Sequence, residues 1–189
     1  NSWETVKGEK ILEERRAVWI IPLASGQVLM DFDIRLVATE GEVFFGSTKE
    51  GSFGIRVAGT MKQTSGGTIK NSRGGLGAAE CWGKPAEWID YYGPVDGKVV
   101  GVAIMDHPES FRHPTHWHIR DYGLFAANPF GHRHFYGKEA AGKGDYRLQK
   151  GQSIRFKYRL YIHHGNTARA NVERVYGGFS NPPLLHLKR

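Results

Sequence analysis

The sequence predicts an all-β fold, an antiparallel β-sandwich with one short C-terminal helix, on three observations. Two long runs alternate apolar and polar residues with the period of a half-buried strand, glycine-rich breaks separate shorter β-prone runs, and only one segment carries a helical pattern. In the first long run Val28, Met30, Phe32, Ile34 and Leu36 fall on one side, and Leu29, Asp31, Asp33 and Arg35 on the other. Shorter β-prone runs follow at 42–45, 53–58, 68–70, 87–92, 99–105, 116–120 and 123–126. The breaks between them include Ser65-Gly66-Gly67, Arg73-Gly74-Gly75, Gly93-Pro94-Val95-Asp96-Gly97 and Gly142-Lys143-Gly144. The second long run places Ile154, Phe156, Tyr158, Leu160 and Ile162 on one side against Arg155, Lys157, Arg159 and Tyr161, which gives its far face a basic character. The helix is expected over 167–176, with Thr167 as its N-cap, a stop at Gly177-Gly178, and a place at one end of the sandwich.

A length of 189 residues suits one domain, and no repeat or linker divides it. Apolar residues at 40% and charged residues at 24% are ordinary for a soluble globular chain, and no stretch approaches the roughly 20 apolar residues that cross a bilayer. The net charge of +7 comes from 26 basic residues interleaved with 19 acidic ones, without a basic arm or stripe, so the expected partners do not include nucleic acid. Such a surface is equally suited to acidic saccharides. The lone Cys81 excludes an intrachain disulfide and any multi-cysteine metal site, and is expected to sit inert beside Trp82.

Four of the nine histidines fall in the segment 106–123, among arginine, aspartate and aromatic side chains. Imidazole titrates near neutral pH and is the commonest metal ligand, so this mixture suits proton transfer, metal binding or recognition of a polar ligand. In a strand His116 and His118 project to the same face. Such a pair is a two-point clamp for a divalent metal, with His107 as the third ligand or His113 or Asp121 in its place; the alternative is one buried, hydrogen-bonded imidazole and one facing water. A second His-x-His, His132-Arg133-His134, is expected to be a solvated loop pair.

Two further clusters carry chemistry. In Lys49-Glu50-Gly51-Ser52-Phe53-Gly54-Ile55-Arg56, Glu50 is a candidate general base and Lys49 and Arg56 candidate anion or sugar ligands, unless they form an ion pair at a strand end. The stretch 81–92 gathers Trp82, Lys84, Trp88, Asp90 and two tyrosines, a set that either stacks on a pyranose and binds its hydroxyls or fills a sandwich core. If this stretch is one strand, Trp82, Trp88 and Asp90 share a face. Nucleophile elbows, P-loops, dinucleotide-binding glycine patterns and His-Glu-x-x-His helices do not occur, which disfavours serine or cysteine hydrolase and nucleotide chemistry.

These segments, with Asp106-His107-Pro108, Pro114-Thr115-His116-Trp117-His118-Ile119-Arg120 and Tyr122-Gly123-Leu124-Phe125-Ala126-Ala127-Asn128-Pro129-Phe130-Gly131, resemble the bacterial family labelled methane oxygenase PmoA, from about Ile34 to Gly165. The resemblance implies carbohydrate work in bacteria that degrade polysaccharides; the compartment, bacterial cytoplasm or periplasm, stays open. Members of that family carry a further His-His-Arg segment upstream of the Trp19 region that this sequence lacks, so the chain reads as a fragment or as a member without that edge.

The expectation that follows is a carbohydrate-active enzyme, a hydrolase or lyase on a saccharide or keto-sugar. His116 and His118 would move the proton with Glu50 and Arg120 beside them. Lys49, Arg56, Trp82, Lys84, Trp88, Asp90, Tyr122 and Asn128 would bind substrate, and a divalent metal at His107, His116 and His118 would be an optional electrophile. The alternatives are a non-catalytic carbohydrate-binding module and a histidine-ligated copper or iron oxygenase.

Overall fold

The structure is a computed structural model that describes residues 1–182. The strands are β1 (Ser2–Glu4), β2 (Lys10–Pro22), β3 (Val28–Val37), β4 (Val43–Phe45), β5 (Phe53–Arg56), β6 (Thr68–Asn71), β7 (Trp88–Val95), β8 (Lys98–Asp106), β9 (Trp117–Ile119), β10 (Leu124–Ala127), β11 (Tyr146–Leu148) and β12 (Ser153–His164). The α-helices are α1 (Gly77–Cys81), α2 (His132–Tyr136) and α3 (Val172–Ser180). Seven strands form an antiparallel sheet in the order β1-β2-β3-β12-β8-β7-β6, three form a small sheet in the order β5-β10-β9, and β4 pairs with β11. The expected all-β, sandwich-like architecture is what forms. No described helix is long and apolar enough to cross a membrane.

The alternation of β3 and β12 places the core. Ile34, Leu36, Ile154, Phe156, Tyr158 and Leu160 point inward and meet Trp117, Ile119, Phe125 and Ala127 of the small sheet. Trp117 is fully buried, and its indole N–H donates to Ala86 O at 2.9 Å. Between β7 and β8 the turn residues Asp96 (φ 48°) and Gly97 (φ 73°) both have positive φ, the type I′ geometry whose twist matches that of the flanking strands.

The outward faces of β3 and β12 are more balanced than a basic face. Arg155 Nε donates to Asp33 at 2.8 Å, and Arg159 grips Asp31 with two bonds of 2.6 and 2.7 Å. Further along, α3 covers this face over a second apolar cluster that includes Trp88, Met105, Tyr161, Val172 and Phe179.

The helix begins later than its sequence suggests, at Val172, and runs through Gly177-Gly178 instead of stopping there. The Thr167 hydroxyl donates at 2.7 Å to the buried Asp90 carboxylate, so it is not available as an N-cap. Strand β2 carries no clean alternation, because its inward positions after Leu12 are Glu14 and Arg16. Its outer edge is paired with β1 only over residues 10–13.

Candidate functional site

The outer face of the small sheet carries the polar residues that the sequence marks out. Register places Arg56, Leu124 and Arg120 in one row, and Gly54, Ala126 and His118 in the next. Segment 49–54 crosses directly over this second row. A Cβ at Gly51 or Gly54 would lie 2.2 or 2.4 Å from the Ala126 Cβ, so only glycine allows the approach. His118 is consequently buried at 3% exposure, while Lys49 and Glu50 remain exposed.

The segment is held from below by Asn128. Its side-chain amide donates to Thr48 O at 2.9 Å, and its oxygen accepts from the Phe130 amide at 3.0 Å. Fully buried and bonded to backbone, Asn128 positions this loop and is not the substrate contact expected from the sequence.

His118 in β9 and His116 just before it have different neighbours. His116 Nε2 lies 2.9 Å from the Tyr136 hydroxyl, and its ring centroid is 4.5 Å from that of His132 and 6.0 Å from that of Phe135. Burial, with lesser contributions from His132 and Arg112, pushes the His116 imidazole down to about 4. His118 is also lowered by burial and then by the Arg120 guanidinium, with Lys49 acting in the same direction and Glu50 opposing them. Both rings are therefore neutral at pH 7.

The guanidinium of Arg120 lies over the Trp82 indole at 5.4 Å from its centroid, and Trp82 meets Phe135 edge-on at 5.1 Å. Arg56 stacks on Tyr122 at 5.6 Å. Among the described residues, four buried polar atoms in this region make no hydrogen bond: Trp82 Nε1, His118 Nδ1, Arg120 Nε and His132 Nδ1. Each such atom costs roughly 1–3 kcal/mol relative to a satisfied one, so their concentration here is unusual for a surface that only has to fold.

Several expected members lie elsewhere. Trp82 precedes β7 instead of belonging to it, so the 81–92 stretch is not one strand, and Trp88 and Asp90 face α3 on the opposite side of the large sheet. Trp88 donates to Glu173 at 2.8 Å, while Asp90 accepts from Thr167 and lies 3.0 Å from His163 Nε2. Lys84 is exposed on a surface depression beside Arg73 and Glu80. His107 packs edge-on against Phe179 at 5.0 Å and approaches Lys157 at 3.4 Å, across the core from β9. The set His107, His116 and His118 is thus not brought together. No group of three or more His, Cys, Asp or Glu residues has metal-binding geometry among the described residues.

His132 corrects the sequence reading in the other direction. Its segment folds as α2 and packs against His116, with Phe135 and Tyr136 one helical turn on. The usable signal was the spacing of His132, Phe135 and Tyr136 at i, i+3 and i+4, which puts three rings on one helical face. Cys81 is buried, with its thiol pushed up to about 12 by burial, in keeping with an inert role.

A family model described as "Family of unknown function (DUF6807)" matches residues 1–177. No curated protein and no solved structure matches the chain.

Proposed function

We propose that this chain, which belongs to the DUF6807 family of unknown function, acts on a saccharide or keto-sugar at the outer face of the small sheet. The observation that carries the reading is the group of four unbonded, buried polar atoms beside an indole and two arginines. A polyhydroxylated ring has the complementary chemistry: its C–H face stacks on Trp82 or Tyr122, while its hydroxyls accept from Trp82 Nε1 and Arg120 and donate to a neutral imidazole.

His118 is the proton carrier in this reading. It keeps an unbonded Nδ1, stands two residues from Arg120, and has the Glu50 carboxylate opposing the two cations that lower it. Taking a proton from the carbon next to a keto group would leave an enolate oxyanion for Arg120 to stabilise; its collapse breaks the β C–O bond, the departing alkoxide takes the proton back from the His118 imidazolium, and water adding to the enone so formed completes a net hydrolysis. His116 is the weaker base because a group poised near 4 is mostly unable to hold a proton at pH 7. Its bond to Tyr136 suits it to orientation.

The exposed Tyr122 ring beside Arg56 favours a second reading, a carbohydrate-binding surface without turnover. A screen of keto-glycosides and oligosaccharides separates the two, run with and without chelator on the wild type, His118→Ala and His116→Ala. The enzyme reading expects turnover that falls by about 10²-fold or more in His118→Ala and less in His116→Ala. Binding without turnover supports the module, and wild-type turnover in His118→Ala removes the mechanism.

A further inference from the structure

A second site lies between the large sheet and segment 48–53, where the small sheet is too narrow to cover β2. A cavity of about 310 Å³ opens there, walled by Phe53, Phe156 and Tyr158 on the core side and by Trp3, Glu14 and Arg16 toward the β1 and β2 edge. Its polar features are few and specific. Tyr158 is 1% exposed, and its hydroxyl makes no hydrogen bond, although the Ser52 hydroxyl, itself bonded to Ala127 O at 3.3 Å, is a near neighbour. Glu14 is 4% exposed; it accepts from Trp3 Nε1 at 2.8 Å and is paired with Arg16 at 2.6 Å.

These residues explain why β2 escapes recognition in the sequence. Glu14 is buried where a sandwich strand ordinarily carries an apolar residue, a placement with a desolvation cost that a purely structural strand avoids, and the exposed Arg16 pairs with it. Glu14 is paired with Arg16, and Glu50 at the rim lies 3.9 Å from Lys49, so each carboxylate in the lining has a cation beside it. The walls are dominated by aromatic and aliphatic side chains, including Phe45, Phe130, Ile34 and Leu36. An apolar cavity of about 150 Å³ already admits benzene, so this one has room for a six-membered aromatic ring with short substituents.

We infer that the cavity binds a small, neutral, hydroxylated aromatic molecule of the phenol class, whose ring lies among Phe53, Phe156 and Tyr158 and whose hydroxyl pairs with the Tyr158 hydroxyl. A saccharide fits less well, because its ring of hydroxyls would find apolar walls where it needs partners. This site is independent of the sugar-handling reading, although Glu50 borders the cavity and also acts on His118.

The test is a titration of the full chain with phenol, p-cresol, toluene and glucose at neutral pH, followed by amide and indole chemical shifts in two-dimensional NMR. The expected result is saturable binding of phenol and p-cresol that shifts the Trp3 indole and the Phe53 and Tyr158 amides. Glucose should leave these signals in place. In Tyr158→Phe, which keeps the ring, phenol affinity should fall about tenfold while toluene affinity stays the same, the difference made by one buried hydrogen bond. The inference is overturned if neither phenol nor toluene shifts these signals, if glucose binds there more tightly than phenol, or if Tyr158→Phe binds phenol as well as the wild type does. Unchanged toluene binding in the variant shows that the cavity has kept its shape.

Discussion

Beneath α3 the Asp90 carboxylate lies 3.0 Å from His163, accepts from Thr167 at 2.7 Å and is sealed from solvent, while Trp88 nearby is bonded to Glu173. On the outer face of β9, residues of the same types stand in a different condition: Trp82, His118 and Arg120 each keep a buried polar atom without a partner. Histidine, tryptophan and an ionisable side chain gather in both places, so composition does not separate them. What differs is whether the side chains answer one another. Under α3 each of these side chains has found a partner, although His163 Nδ1 stays unbonded, and the group acts as a polar fastening between helix and sheet. Around β9 several buried polar atoms have no partner among the described residues.

One substitution made in both regions would break that contrast most directly. His163→Leu leaves a buried Asp90 oxygen facing an apolar group, and we expect it to cost about 3–5 kcal/mol in urea denaturation. A loss under 1 kcal/mol would mean that the two regions do not differ in the way described.

A smaller effect is expected from pH. Because His116 is lowered from the ordinary 6.5 to about 4, the unfolded chain binds more protons than the folded one between those values. Stability should therefore fall as pH falls through that window, and His116→Phe should fall less steeply. Parallel slopes for the two proteins in denaturant titrations would contradict the assignment.

The smallest effect belongs to His118→Leu, which replaces a ring with an unbonded nitrogen by an apolar group of similar bulk. Stability should stay within about 1 kcal/mol of wild type, in contrast to His163→Leu. Sugar binding should be lost in the same variant, which would sharpen the distinction between a fastening and an opening.

The long strands were legible because β3 and β12 bury one face and expose the other, so their alternation survives in the sequence. Strand β2 was not, since Glu14 and Arg16 stand where an apolar pattern was required. For the site, His116, His118, Arg120 and Trp82 stood out by residue type and spacing, although His116 precedes β9. Partnership was not recognisable, because it depends on register and crossing segments. Nothing local in the sequence says that Asp90 meets a histidine 73 positions away, or that Asn128 is occupied by the backbone of Thr48 and Phe130. The α2 segment was misjudged for a related reason: its flanking glycines suggested a loop, whereas its ring spacing required a partner at His116 to become informative.

The buried Cys81 gives the molecule a practical property. As the sole cysteine, closed off and held in its thiol form, it leaves the chain unreactive toward maleimides under native conditions. A single cysteine placed at exposed Lys49 or Lys84 would then be the only point of attachment for a fluorophore or spin label. Occupancy near the small sheet could be followed optically without first removing the native sulfur.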